Sequence, residues 1–346
     1  MTHGPSITSR IREEARVLSL KKIYNVIMGA IELSLKSSRL YCLPTRISIE
    51  TGNICNLKCP LCPTGRMDKG ASRGFMKFEN YRNIIDELKN DLILVRLYNW
   101  GEPLLNKDII PMIRYAHDRG MDVTISTNLN ILDQETANGL LQAGLSKIFV
   151  SCDGTTEETF NKYHIGGDFN RVMENIRLLL DEKKRLPFCN TRIIWLFHVF
   201  RHNEHEVEKA KRTAQSLGLE IRINKMRTDM GKEIFETASQ SIQRDRQWIP
   251  EDPKYCAFDM EKKEVKKKKN FCSLPWKETV INWDGSVLPC CAVYEEKYSF
   301  GNAFTEGFKN IWNSEAYIAA RKELAQRQDS SKTVCHTCKA SGFTHF

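Results

Sequence analysis

The sequence predicts an α/β fold: a partial (β/α)6 barrel followed by a small β-hairpin and helix domain. Three observations carry that prediction. Strand-like and helix-like runs alternate from Pro44 onward, several helical runs end in glycine, and the tail changes to a hairpin pattern followed by paired cysteines. Repeated strand–helix units imply a parallel sheet with its helices outside. Six such units are too few for a closed eight-fold barrel, so the sheet is expected to be curved and partly open.

Each element follows from local pattern. Ile7, Ile11, Ala15 and Leu18, then Ile23, Ile27, Ala30 and Ile31, recur at helical spacing in the first 40 residues. This stripe reads as the packed face of a covering helix; the Arg and Lys residues opposite it would also suit a membrane surface. Strands are expected at Arg46–Glu50, Leu92–Asn99, Asp122–Thr127, Lys147–Cys152, Arg192–Phe200 and Glu220–Ile223. Helices are expected between them, at about 77–90, 106–119, 133–143, 168–185 and 204–217. Gly120, Gly144 and Gly218 close three of these runs, as left-handed C-terminal caps do. Residues 229–270 lose the alternation and read as a last helix followed by a basic connector. Thr279–Pro289 then reads as a hairpin turning at Asp284-Gly285. A helix is expected from about 305 to 328, with Phe308, Ile311, Trp312 and Ala316 on one side. The implied domains are 1–43, helical; 44–228, barrel; 229–270, helix and connector; and 271–346, the small C-terminal domain.

Composition narrows the function classes. The chain has 346 residues, enough for one large domain and a smaller one, and its hydrophobic content of 41% is that of a soluble protein. No apolar run approaches the roughly 20 residues that cross a bilayer. Met1–Arg16 also lacks the order of a signal peptide. The twelve cysteines come in C-x3-C-x2-C, CC and C-x2-C groups rather than as a spread framework, which points to reduced thiols and a cytoplasmic setting. Much of the net charge of +9 comes from Lys262, Lys263, Lys266, Lys267, Lys268 and Lys269. Two readings of this run stand: a solvated linker, or a basic lip that attracts an acidic substrate such as a nucleotide sugar. No basic stripe interleaved with aromatics accompanies it, so nucleic acid is not an expected partner.

The chemistry concentrates in cysteines. Cys55, Cys59 and Cys62 follow the first strand, which puts them at the C-terminal end of the sheet, where ligands of such folds sit. Three thiolates are one short of the four that hold an iron–sulfur cube, so one iron would keep an open coordination position. Zinc would need a fourth ligand nearby, and the next His or Cys in sequence is His117.

The triplet resembles the signature of the radical S-adenosylmethionine (SAM) enzymes. The resemblance implies a [4Fe–4S] cluster whose unique iron is chelated by SAM, and reductive cleavage of SAM to a 5′-deoxyadenosyl radical. Trp100-Gly101-Glu102-Pro103 stands where that family has a GGEP-like motif, with Trp100 in place of the first glycine. Gly101, Glu102 and Pro103 are thereby implied to meet the SAM ammonium. Thr127 and Asn128 after the third strand, and Ser151 and Asp153 after the fourth, resemble the polar strand ends that bind the rest of SAM. Strand alternation sets Cys152 on the opposite face, as a buried structural thiol. Asn203 and Glu206 resemble a family NxxE segment, and a helix N-cap explains Asn203 equally well. In the tail, Cys272, Gly285 and Cys290, then Cys335-x2-Cys338, are similar to the opening of the SPASM pattern. With no cysteine after Cys338, the resemblance implies the shortened "twitch" form, one auxiliary [4Fe–4S] cluster on four cysteines. Cys291 is an alternative to Cys290, and a zinc ribbon is an alternative to the cluster.

The resemblance thus implies an enzyme with SAM and two [4Fe–4S] clusters, fed by an external electron donor such as flavodoxin or ferredoxin. It would take hydrogen from a C–H bond of a small polar substrate: a sugar, an aminocyclitol or an acidic nucleotide sugar. Dehydrogenation, with the auxiliary cluster as electron acceptor, is the first expectation. The others are a radical epimerase with a cysteine hydrogen donor, a peptide-modifying maturase, and a non-enzymatic iron–sulfur or zinc module. Of the spare cysteines Cys42, Cys152, Cys189, Cys256 and Cys291, the donor would be Cys256, in the connector.

Overall fold

The computed structural model describes residues 19–226, 228, 234–266, 271–326 and 333–340. Six parallel strands make its centre: β1 (Arg46–Ile49), β2 (Leu94–Arg96), β3 (Asp122–Thr127), β4 (Lys147–Ser151), β5 (Arg192–Val199) and β6 (Glu220–Lys225), paired in that order. Their aliphatic residues are buried; Ile47, Ile49, Val95, Val123, Ile125, Ile148 and Val150 are fully shielded from solvent. Burial on both faces is what a parallel sheet with outer helices requires. β2 is shorter than its apolar run, because Leu92 belongs to the turn that leaves the preceding helix (Leu92 N–H to Leu88 O, 3.0 Å).

Helices Phe78–Leu88, Ile109–His117, Gln134–Gln142, Phe169–Arg185 and Val207–Leu217 alternate with the strands. Gly218 caps the last of them at φ 69°, the left-handed conformation that glycine adopts without a Cβ clash. An additional helix, Glu157–Tyr163, had no clear apolar period; the Thr156 hydroxyl caps it by accepting from the Thr159 N–H. Beyond β6 stand the helix Ala238–Asp245 and a short hairpin, β7 (Phe258–Asp259) and β8 (Glu264–Val265). Lys262 and Lys263 are exposed between its two strands, whereas Lys267, Lys268 and Lys269 lie outside the described residues.

The C-terminal hairpin extends the barrel sheet. β9 (Glu278–Ile281) pairs parallel with the free edge of β1, and β10 (Val287–Leu288) pairs antiparallel with β9. Its turn is wider than a two-residue link. Asn282 to Ser286 form the loop, closed by Gly285 N–H to Asn282 O at 2.9 Å, with Asp284 Oδ1 accepting from the Ser286 N–H. The single helix expected near 305–328 is three pieces, Ala303–Glu306, Phe308–Ile311 and Glu315–Leu324. Gly307, at φ 76°, breaks the first junction. Buried Arg321 fastens these pieces to the rest of the chain, donating to the carbonyls of Pro275, Trp312 and Ser38 at 2.9, 2.8 and 3.2 Å.

The N-terminal stripe is inverted relative to expectation. In helix Leu20–Ser34 the buried residues are Lys22, Asn25 and Glu32, while Ile23, Ile27, Ala30 and Ile31 face outward. The helix covers the N-terminal ends of the strands, where loop backbone groups need hydrogen-bond partners. Lys22 Nζ donates to Gly120 O, Asn25 pairs with the Leu43 N–H and C=O, and the Glu32 carboxylate accepts from the N–H groups of Tyr41 and Cys42. Ile7, Ile11, Ala15 and Leu18 lie outside the described residues.

Candidate active site

The cysteine loop leaves β1 and folds over the C-terminal ends of the strands. Lys58 N–H bonds to Ile165 O at 2.9 Å, and Cys62 N–H bonds to Cys59 O at 3.1 Å. A side chain at Gly65 would stand 2.5 Å from Cys59 O, so the turn that returns from the loop admits only glycine. Cys55, Cys59 and Cys62 line one cavity of about 220 Å³ together with Gly101, Glu102, Thr127, Asn128, Ser151 and Asp153. Leu57, Tyr98, Asn99, Ser126, Tyr163, His164 and His198 complete its wall. Pro103 is buried outside the wall, where it starts the short helical turn Pro103–Leu105. Among the described residues no three His, Cys, Asp or Glu side chains close to single-ion distance.

Burial pushes the Cys55 thiol up to about 11, and burial together with the neighbouring sulfurs raises Cys59 strongly. Cys62 is raised by burial as well. Thiols so placed hold their protons until a metal replaces them. Two donors already face one of the sulfurs, Leu57 N–H and Asn128 Nδ2 at Cys55 (3.4 and 3.7 Å), and His164 Nδ1 lies 3.6 Å from the Cys59 sulfur. Hydrogen bonds of this kind set the potential of a cluster bound there.

Glu102 is held from three sides. Its carboxylate accepts from Leu104 N–H at 3.0 Å, the Thr127 hydroxyl at 2.7 Å and Asn128 N–H at 2.8 Å. Gly101 makes this possible, because a Cβ there would stand 2.0 Å from Gly52 O. Burial nonetheless pushes the Glu102 carboxyl up to about 7, against those hydrogen bonds. A buried carboxylate with spare lone pairs and a raised pKa is a site that a cation stabilises, and the SAM ammonium is such a cation. The three thiols and this carboxylate on one cavity therefore fit both groups.

A pH dependence follows. The raised pKa leaves Glu102 charged above about 7 and neutral below it, so ammonium binding weakens as pH falls through that value. Anaerobically reconstituted protein should lose SAM affinity below pH 7 in calorimetric titrations. Glu102→Gln should bind SAM about 10- to 100-fold more weakly, the range of a lost hydrogen bond to a charged group, and without the pH slope.

Asp153 lines the same cavity and is gripped by two histidines. Burial alone would raise its carboxyl, but the adjoining imidazoles of His198 and His164 hold it well below the usual carboxylate range. His164 Nε2 meets one oxygen at 3.0 Å; His198 meets the other through its backbone N–H at 2.6 Å and Nδ1 at 3.3 Å. What Asp153 orients in the cavity wall is a pair of imidazoles. Neither histidine was read from the sequence. His198 shows as a polar residue inside the apolar run of β5, and His164 carries no pattern signal.

Asn203 and Glu206 brace this arrangement without touching the cavity. Asn203 Oδ1 accepts from Phe200 N–H, and its amide donates to the carbonyls of Asp153 and His198, so its side chain does not cap the following helix. Glu206 accepts from Thr155 N–H and the Thr159 hydroxyl. Cys152 is fully buried with its thiol on Gly154 O.

The tail cysteines form a second, separate set. Cys272, Cys290, Cys335 and Cys338 line a cavity of about 20 Å³ whose other walls are apolar, among them Ile234, Leu274, Val293 and Leu324. Cys290, and not Cys291, belongs to that wall. Burial and the other sulfurs raise Cys290 and Cys335 well above the usual thiol range. Four thiols with no polar rival are a donor set that suits a fully ligated cluster. Cys256 is elsewhere: its thiol faces Phe258 O at 3.4 Å inside an apolar cluster with Phe200, Met226, Ile242 and Trp248.

Comparison with known proteins agrees with this geometry. The profile of the Radical SAM superfamily matches residues 49–214, and that of the SPASM iron–sulfur cluster-binding domain matches 272–339. The chain is similar to the AdoMet-dependent heme synthase of Methanosarcina barkeri, at 30% identity over 51% of this chain and 48% of that protein. It therefore spans about half that relative's length. It is also similar to the mycofactocin maturase MftC of Mycobacterium tuberculosis, at 23% identity over 85% of this chain and 75% of that one. Among solved structures, Streptococcus suis SuiB superimposes with TM-score 0.60 and 14% identity, over 86% of this chain and 72% of that one. BtrN in complex with AdoMet and 2-DOIA gives TM-score 0.50 and 16% identity, over 85% and 92%. These structures share the fold. The two domains together imply SAM and more than one [4Fe–4S] cluster as cofactors. The chain belongs to the radical SAM superfamily and carries a C-terminal SPASM domain.

Proposed function

We propose that this enzyme carries out a two-electron oxidation of a C–H-bearing alcohol carbon in a small polar substrate, a sugar, an aminocyclitol or a nucleotide sugar. When bound, SAM and the cluster on Cys55, Cys59 and Cys62 supply a 5′-deoxyadenosyl radical that takes one hydrogen atom from the substrate carbon. The chain's own residues do the rest. Glu102 holds the ammonium end of SAM, and Asn99, Ser126 and Ser151 offer polar contacts in the cavity wall. His198, paired through Nδ1 with Asp153, is the base for the hydroxyl proton. A cluster held by Cys272, Cys290, Cys335 and Cys338 would take the remaining electron, so that the carbon would end as a carbonyl and charge would balance.

One observation carries this reading: one cysteine set opens on a polar cavity of about 220 Å³, while the other encloses about 20 Å³ behind apolar walls. Apolar walls around the tail set suit a cluster that passes electrons rather than one that meets a polar substrate. An external donor such as flavodoxin or ferredoxin would feed the open set. The placement of Cys256 gives an epimerase no thiol in the cavity from that residue.

Peptide modification is the second reading, supported by the maturases among the relatives. Against it, described residues 19–43 form a helix and no strand that could pair with a leader peptide. The test is turnover in deuterated water with polyol, nucleotide-sugar and peptide candidates, followed by mass spectrometry. Oxidation gives a product two mass units lighter with no stable deuterium at the reacting carbon. An inverted, deuterated carbon, or turnover confined to a peptide, would replace this reading.

A further inference from the structure

We infer that the outward face of helix Leu20–Ser34 docks the enzyme on an anionic lipid bilayer surface. The orientation of this helix is fixed by its polar side. Lys22, Asn25 and Glu32 are all buried, and each bonds to backbone groups of the barrel loops. The opposite side is apolar. Leu20, Tyr24, Ile27 and Leu35 are 87, 62, 53 and 64% exposed, at the three- and four-residue spacing that puts them on one face, with Ile23 and Ile31 between them. Single exposed apolar residues are ordinary on a protein surface; a continuous row along a helix is a binding face.

Charge says what it binds. From Ser19 to Tyr41 the charged residues are Lys21, Lys22, Glu32, Lys36 and Arg39, and Lys22 and Glu32 are buried. Within residues 19–41 the exposed charges, Lys21, Lys36 and Arg39, are therefore all cations. An apolar face bordered by lysine and arginine is the pattern of a helix lying in the headgroup region of an anionic membrane. A second copy would bring the same cations to the same face, so symmetric pairing would oppose like charges. The helix has 15 residues, short of the roughly 20 that span a bilayer, so it lies on the surface. It sits at the N-terminal ends of the strands, against Leu43, Asp91 and Gly120, whereas the cavity opens at the other end. Docking by this face leaves the cavity mouth turned away from the lipid.

The test uses full-length reconstituted protein and vesicles of phosphatidylcholine alone or mixed with phosphatidylglycerol. The wild type should sediment with the mixed vesicles, far less with phosphatidylcholine alone, and detach as salt rises. Leu20→Ser, Tyr24→Ser and Ile27→Ser together should lower partition at least about ten-fold, a modest return for three exposed apolar side chains, with SAM cleavage unchanged. Wild type remaining in the supernatant with both vesicles overturns the inference. So does equal binding to both vesicle types, unchanged binding of the triple variant, or a wild-type dimer that the triple variant converts to monomer.

Discussion

Alanine at Cys55, Cys59 and Cys62 together should abolish reductive cleavage of SAM. The three thiols line the one cavity that also holds Glu102, and no other described cysteine faces it. Reconstituted wild type should carry about eight irons, two cubes, and the triple variant about four. The variant should stay folded, because these cysteines sit in a half-buried loop while the sheet core lies beneath. Iron content, visible absorption and 5′-deoxyadenosine yield under dithionite check this. Cleavage persisting in the triple variant would sink the assignment of the open cluster.

The second large effect separates the two cysteine sets by task. Cys335→Ala with Cys338→Ala should leave uncoupled formation of 5′-deoxyadenosine in place and stop product formation. The tail keeps its anchors in this variant. Thr333 N–H bonds to Glu323 Oε1 at 2.8 Å, and Val334 remains buried in the apolar cluster with Ile234 and Val293. Near-UV circular dichroism confirms the fold, and chromatography reads the two products separately. Full product yield from the double variant would show that the tail cluster is not the electron acceptor.

The barrel was legible because its elements are long and regular. β3, at Asp122–Thr127, falls on its expected bounds, and the helix ends at Gly120, Gly144 and Gly218 all take positive φ. Such features depend on local pattern, which a sequence displays. The cysteine sets were legible because spacing along the chain carries their chemistry. What escaped was whatever depends on which surface a segment meets. The helix Leu20–Ser34 has a clear apolar period, but pattern alone could not tell that its partner would be polar loop backbone, so its burial was read the wrong way round. His164, just past the helix Glu157–Tyr163, and His198, in β5, converge on Asp153, a meeting no short window shows. Gly307 hid a break inside what read as one helix, since a lone glycine is tolerated in a helical pattern.

The place of β9 bears on how the chain can fold during its synthesis. β1 is the first strand made, yet one of its edges is covered by Glu278–Ile281, near the end of the chain. Until that hairpin emerges, β1 presents an unpaired edge beside the cysteine loop, the kind of edge that pairs with other chains. Closing such a distant contact carries the loop entropy that slows folding. The Arg96–Glu278 ion pair and the Glu50 N–H to Ile281 O bond form only with that last piece. The sheet beneath the cysteine loop is therefore sealed only once residue 281 has been made, late in synthesis.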